Sequence, residues 1–173
     1  MIGIRAAAKG IGAVALMATL AACGGADGDA RQSSQNLEVY TPEQIYERGE
    51  FELARDREGD AAYYFSEVER LYPYSEWAKQ SLIMQAFTYH QAEDYENSRS
   101  AAQRYIDFYP TEEDAAYAQY LLALSYYDQI DEVGRDQGLT FQALQSLRTV
   151  IEVYPDSEYA TSAILKFDLA FDH

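Results

Sequence analysis

The chain has one residue with nucleophilic thiol chemistry, its single cysteine, Cys23. A basic start, an apolar stretch over residues 11–20 and two small residues precede it. This order is typical of a secretory signal peptide. The apolar stretch is shorter than the roughly 20 residues that a membrane-spanning helix needs. We therefore expect residues 1–22 to be a signal peptide that is removed in front of Cys23.

The run Leu20-Ala21-Ala22-Cys23 resembles a bacterial lipobox. In such a motif the thiol takes a diacylglyceryl group, and the new amino terminus is acylated after cleavage. A buried structural cysteine is disfavoured because the glycine-rich polar residues 24–29 follow and do not form a core. Two or more acyl chains give stable anchoring. Since Gly24 stands where an inner-membrane retention signal would have aspartate, the motif implies a lipid anchor in the outer membrane, facing the periplasm.

No constellation of catalytic or metal-ligating residues is visible in the rest of the sequence. The two histidines, His90 and His173, have no second ligand at helical spacing, and no glycine-rich phosphate loop or Gly-x-Ser-x-Gly motif occurs. The acids at 112–114 are typical of a first helical turn, and those at 131–136 lack calcium-loop spacing. The sequence thus predicts a protein that is not an enzyme, with no metal and no cofactor beyond the covalent lipid on Cys23.

The charge of the chain restricts its partners. The formal net charge is −16 over 173 residues. Nucleic acid is excluded as a partner, because its phosphates require lysine and arginine. Residues 24–38 are almost entirely polar, so we expect residues 23–40 to form a lipidated, flexible tether, with ordered structure from Thr41 onwards.

An internal repeat indicates the fold. Tyr-Pro pairs recur at Pro73, Pro110 and Pro155, at spacings of 37 and 45 residues, and a Ser-x-x-Ala element follows the first and third. Periods of this length are typical of stacked helical pairs. Helical apolar spacing predicts repeats over residues 41–73, 75–110 and 111–155, and a partial one over 157–173. Turns are expected at 58–60 and 93–95, and an interruption at 131–138.

Small residues mark where the paired helices should cross. Gly49, Ala86 and Ala123 are 37 residues apart, and close approach of two helices requires a small side chain. This matches the tetratricopeptide pattern, except that Glu52 stands where Tyr89 and Tyr126 stand in the next pairs. The predicted fold is therefore all-α: a tetratricopeptide-like α-solenoid of about three and a half helical pairs, residues 41–173, after the lipidated tether.

The sixteen tyrosines indicate a candidate binding face. Tyr89, Tyr105 and Tyr126 are expected to fill repeat interfaces. The repeat register places ten other residues on the concave face: Tyr46, Glu50, Leu53, Ile83, Phe87, His90, Tyr117, Tyr120, Leu124 and Tyr127. An aromatic concave face suits an extended or helical peptide, and packing of these side chains against one another is the alternative.

Together these features resemble a known family. The lipobox, the polar tether and the Tyr-Pro-x-Ser repeats are similar to the BamD family of outer-membrane β-barrel assembly lipoproteins, and segments 125–137 and 155–173 resemble its alphaproteobacterial branch. The resemblance implies five repeats, so we expect this chain to stop within the fourth. It also implies three kinds of partner: a BamA-like β-barrel subunit, other assembly lipoproteins and unfolded outer-membrane proteins.

Two alternative functions compete with a role in β-barrel assembly. A periplasmic scaffold associated with the Tol system shares Tyr-Pro-x-Ser repeats, but it usually follows a coiled coil and often lacks a lipobox. Cys23 and the lack of heptads in the sequence disfavour it. A lipid-anchored envelope enzyme would need a polar catalytic cluster, which the sequence does not contain.

Overall fold

The computed structural model describes residues 34–130 and 137–171. In this part of the chain a short 3-10 helix, Ser34–Val39, precedes seven α-helices. They are α1 (Pro42–Leu53), α2 (Glu58–Leu71), α3 (Glu76–Gln91), α4 (Tyr95–Phe108), α5 (Ala115–Tyr127), α6 (Gln137–Val153) and α7 (Glu158–Phe171). The predicted signal peptide, Cys23, most of the tether and most of the predicted interruption lie outside the described residues.

The helices stack in pairs. Each helix packs along the next one in the chain, and α1, α3, α5 and α7 also contact one another in that order. This arrangement places the first helix of each pair along one side of the array and the second helix along the other. The predicted all-α, tetratricopeptide-like solenoid of three and a half pairs is confirmed.

Three of the described helices, α1, α3 and α4, start after a residue whose side chain caps them. Thr41 and Gln44 form a capping box, in which each side chain bonds the backbone N–H of the other residue, at 3.2 and 3.0 Å. Ser75 Oγ accepts from Ala78 N–H at 3.1 Å at the start of α3. Thr111 was expected to open α5, but a turn ending in the bond from Ala115 N–H to Glu112 O delays the helix to Ala115.

The first turn within a pair also differs from the prediction. It was expected at residues 58–60, whereas α2 already begins at Glu58 and the chain reverses over residues 54–57. Asp56 takes a positive φ of 54° there, and Glu93 takes a φ of 59° at the equivalent position 37 residues later. A left-handed residue of this kind ends a helix and lets the chain turn back.

The helix crossings occur at the predicted small residues. A Cβ built on Gly49 would lie 2.7 Å from Cε1 of the fully buried Phe65 on α2. Ala86 and Ala123 are fully buried at the corresponding points of the next two pairs. The first pair therefore needs glycine because its second helix presents an aromatic ring at the crossing.

Glu52, the departure from the repeat pattern, is a buried ion-pair centre. Its side chain is 2% exposed and receives Arg48 Nη2 at 2.6 Å and Arg57 Nη1 at 3.2 Å. A buried carboxylate is tolerated when it is paired and hydrogen-bonded in this way. Two arginines therefore neutralise the glutamate that stands where the other pairs have tyrosine.

The folded part begins earlier than the sequence suggested. The predicted tether extended to residue 40, but Ser34–Val39 form a 3-10 helix and Leu37 is buried in the first core cluster with Ile45 and Val68. Tyr72 Oη donates to the Tyr40 carbonyl and holds the same segment. One leucine in a polar stretch carries too weak a periodic signal to predict this contact.

Candidate functional site

The concave face is formed by one side of α1, α3, α5 and α7. The ten residues predicted for it come from α1, α3 and α5, where nine recur at three register positions and Tyr117 precedes Tyr120 by one turn. The structure confirms that these helices are adjacent. It separates the ten residues into those that repeat packing covers and those that stay accessible.

Tyr46 and Ile83 do not form an open groove. Tyr46 is 8% exposed, with its ring centroid 5.2 Å from Phe65 and 5.0 Å from Trp77, the second residue of the next first helix. Ile83 is equally buried, in a cluster with Tyr105 of α4. Their assignment to an open concave surface was wrong, because the neighbouring helices pack over this register position.

Tyr117 and Tyr120 on α5 are partly covered by α7. The Tyr159 ring stacks on both, with centroid distances of 5.1 and 5.4 Å. Burial, and secondarily the Tyr159 hydroxyl, raises the pKa of Tyr117 to about 12. Sequence reasoning missed Tyr159, although it stands four residues after Pro155 just as Trp77 stands four after Pro73.

Besides the partly covered Tyr117 and Tyr120, six of the ten predicted residues remain at least partly accessible on this face. They are Glu50, Leu53, Phe87, His90, Leu124 and Tyr127. They form a surface that is aliphatic and aromatic through α3 and α5 and carries a free-standing carboxylate, that of Glu50, on α1. Side chains of this kind supply the apolar contacts of a peptide-binding surface.

Two polar contacts join neighbouring repeats across this surface. His90 Nε2 lies 3.0 Å from Asp128 Oδ2, so α3 is tied to the end of α5. The Lys166 ammonium of α7 lies 4.4 Å from the centroid of the Tyr127 ring, within cation–π range. Neither Asp128 nor Lys166 was predicted, since the contacts depend on the rotation between successive repeats.

Of the three tyrosines expected at repeat interfaces, Tyr105 and Tyr126 pack in core clusters that join neighbouring pairs, while Tyr89 lines the surface beside Arg104. Tyr105 is 1% exposed, and burial raises its pKa to about 12. Tyr89 and Tyr126 are half-buried, and the Arg99 guanidinium covers the Tyr126 ring at 4.7 Å. Tyr105 and Tyr126 therefore stabilise the stacking of the pairs and are separate from the accessible concave surface.

A second concavity of about 620 Å³ lies between the second helices α2 and α4, over α3. Gln85 Nε2 donates to Glu69 Oε2 at 3.0 Å, and Arg104 bonds both Glu69 and Gln85. At its edge, Arg70 makes a two-pronged contact with Glu67 at 2.9 and 2.6 Å. These charges compensate one another, so the network fixes the register of three helices.

Metal-binding groups and membrane-spanning helices are absent from the described residues. Residues 34–130 and 137–171 contain no group of three His, Cys, Asp or Glu side chains placed to hold a metal ion. Across those same ranges, every helix is too short or too polar to cross a membrane.

The family assignment comes from comparison with known proteins. Residues 39–171 match the YfiO family, which is described as an outer membrane lipoprotein. The chain belongs to this family. The match covers all seven α-helices of the described residues.

Curated relatives agree with this assignment. An "Outer membrane protein assembly factor BamD" from Caulobacter vibrioides is 40% identical over 162 residues, which cover 94% of this chain and 52% of the relative. A protein of the same name from Rickettsia prowazekii is 32% identical over 159 residues, covering 91% and 63% respectively. The chain therefore spans about half to two thirds of the length of these relatives.

Proposed function

We propose that this family member is a non-catalytic component of the outer-membrane β-barrel assembly machinery. The observation that carries the proposal is the 40% identity, over nearly the whole chain, to an outer membrane protein assembly factor. The fold agrees with it, because stacked helical pairs provide extended concave surfaces for binding other polypeptides. The proposed partners are the barrel-forming subunit, companion lipoproteins and unfolded outer-membrane proteins.

The concave face is the proposed site for unfolded segments. Phe87, Leu124 and Tyr127 keep part of their apolar surface accessible there, and they lie on consecutive first helices. An unfolded outer-membrane protein exposes apolar and aromatic side chains that fit such a surface. Leu124→Glu would place a charge in the middle of this apolar surface. Phe108→Glu is the matched control, because it changes an exposed aromatic side chain on the side of the second helices.

Membrane attachment is proposed to occur through lipid on Cys23, which places the solenoid on the periplasmic side of the outer membrane. The support is the signal-peptide pattern and the lipobox resemblance. Cys23→Ser removes the thiol that would be acylated. We expect the variant to lose incorporation of labelled palmitate and to leave the membrane fraction. An acylated Cys23→Ser protein would refute the anchor assignment.

Affinity purification tests the assembly function. The tagged native gene product is purified from detergent-solubilised envelopes, and co-purifying proteins are identified by mass spectrometry. We expect a large β-barrel protein with periplasmic repeats to be recovered with the wild type and with Phe108→Glu. Recovery of Tol-system proteins in its place would reject the assembly role and favour the envelope-coordination alternative.

A further inference from the structure

The α1 end of the concave face carries uncompensated negative charge. Glu43 and Glu50 lie two turns apart on this side of α1, and both are exposed. Among the ion pairs of the described residues, none involves these two carboxylates. They contrast with Glu52 on the same helix, which is buried and bound by two arginines.

Asp114, in the loop before α5, is a third exposed carboxylate. Burial raises the pKa of Tyr46 to about 12, and the charges of Glu50 and Asp114 act in the same direction. Since burial and then Asp114 also raise the pKa of Tyr105 on α4, the Asp114 charge adds to the negative field near the first repeats, while Glu43 and Glu50 form the acidic end of the face.

Two cations of the first helices, Arg48 on α1 and Lys79 on α3, are already engaged, and Arg48 Nη2 lies 2.6 Å from Glu52 Oε1. Lys79 Nζ lies 3.0 Å from carboxylate oxygens of both Glu76 and Glu112. Its charge is taken up by these two acids, so it does not neutralise Glu43 or Glu50. An incoming ligand would find the acid end of the face without a bound counter-charge.

The opposite end of the face is apolar. By the repeat register, Leu169 on α7 continues the line that runs through Phe87 and Leu124, while Leu165 stands at the position of Ile83 and Tyr120. The Leu169 and Leu165 side chains are 56% and 62% exposed. The concave face therefore changes from anionic at α1 to aliphatic at α7.

We propose that this face binds a polypeptide segment in one orientation, with lysine or arginine side chains at α1 and apolar side chains from α3 to α7. The inference rests on the proposed function and specifies its ligand class. Charge complementarity selects the segment and its direction, while apolar contact provides the affinity. Glu43 and Glu50 are two helical turns apart, about 10 Å. Residues i and i+2 of an extended chain point to the same side about 7 Å apart, within reach of both carboxylates for two long lysine side chains. The preferred basic element is therefore Lys-x-Lys.

Fluorescence anisotropy with synthetic peptides tests this proposal on the full chain. One labelled peptide carries Lys-x-Lys before an alternating Leu/Phe segment, and its analogue has glutamine in place of both lysines. Because two exposed ion pairs together contribute about 0.4–2 kcal/mol, the basic peptide should bind about 2- to 30-fold more tightly at low salt. This preference should disappear in the double variant Glu43→Gln/Glu50→Gln and shrink in 0.5 M salt, where the screening length is only a few ångströms.

Glu96→Gln/Glu152→Gln is the matched control, since it removes two exposed carboxylates from the second helices α4 and α6. It should keep the preference for the basic peptide. Equal affinity of both peptides for the wild type, with loss of binding in Leu124→Glu, would overturn the charge inference and leave the concave peptide site intact. Peptide binding that Leu124→Glu does not change would remove the concave site itself, and this inference with it.

Discussion

Substitution of Gly49 by alanine tests how the first helical pair is assembled. Two opposing effects apply to this change. Alanine is the better helix former, by about 1 kcal/mol in a helix interior. Its Cβ, however, would lie 2.7 Å from Cε1 and 2.9 Å from Cδ1 and Cζ of Phe65, which are distances that real side chains do not sustain.

The size of the second effect follows from the surroundings of Phe65. The ring is fully buried and lies 5.2 Å from the Tyr46 ring, so it has no free space into which to move. Forcing one extra methyl group into a packed core costs about 1–3 kcal/mol. The steric cost therefore exceeds the helix-propensity gain, and we expect Gly49→Ala to destabilise the protein by about 1 kcal/mol.

A double-mutant cycle isolates the steric term. Phe65→Leu removes Cε1 and Cζ, two of the three closest atoms, so Gly49→Ala should be neutral or stabilising in that background. The free energy of unfolding is measured by urea denaturation with circular dichroism. We expect a coupling energy of about 1–2 kcal/mol between the two sites. Equal effects of Gly49→Ala in both backgrounds would refute the steric argument.

Ala86→Gly is the matched control. Ala86 stands at the same register position of the second pair, where Ala102 replaces the phenylalanine of the first pair, and both are fully buried. Glycine there gains no steric relief and loses helix propensity, so we expect a destabilisation of about 1 kcal/mol. A stabilising Ala86→Gly would show that all crossings, and not only the first, are overpacked.

Further predictions concern single groups in the described solenoid. Thr88 Oγ1 is buried without a hydrogen-bond partner, so Thr88→Val should raise the free energy of unfolding by about 1 kcal/mol in urea denaturation. Ser125→Ala at the equivalent position should lower it, because the Ser125 hydroxyl bonds Ser98 and the Leu121 carbonyl. Glu93→Gly should raise the melting temperature, because glycine adopts the φ of 59° without the cost of about 1 kcal/mol that a side chain brings. Asp56→Gly should raise it less, because aspartate tolerates this conformation better than glutamate. A lower melting temperature for Glu93→Gly would contradict this argument. Burial raises the pKa of Tyr46 from 10.0 to about 12, so the stabilisation by its protonated form is complete below pH 10 and is lost as the pH rises to 12. The free energy of unfolding should therefore fall less steeply between pH 9 and 12 in Tyr46→Phe than in the wild type. An unchanged slope would exclude this role of Tyr46.

Local signals in the sequence predicted the helices and their pairing. Thr41 and Ser75 cap helices where expected because capping involves only a few consecutive residues. Gly49, Ala86 and Ala123 marked the crossings because only small side chains fit between closely packed helices. The expected start at Thr111 was wrong, since the chain first completes a turn after Pro110 that the helical pattern alone does not indicate.

The accessible part of the concave face was harder to predict. Tyr46 and Tyr127 occupy positions on the same side of their helices, yet Tyr46 is buried against Trp77 while Tyr127 is partly accessible. The difference depends on the next repeat, whose rotation decides what covers each position. Asp128 and Lys166 joined the face for the same reason, through contacts with residues of other repeats.

The sequence by itself determined the helical period, the pairing of helices, the small residues at their crossings and the motif at Cys23. All of these are encoded by residues close together in the chain or by a repeat of constant length. Only the tertiary structure decided which carboxylates are neutralised and which remain free, because the sequence does not show which arginines reach Glu52 or Glu50. Burial of Glu52 between two arginines, and exposure of Glu50 beside Tyr46, follow from how the first pair packs against its neighbour.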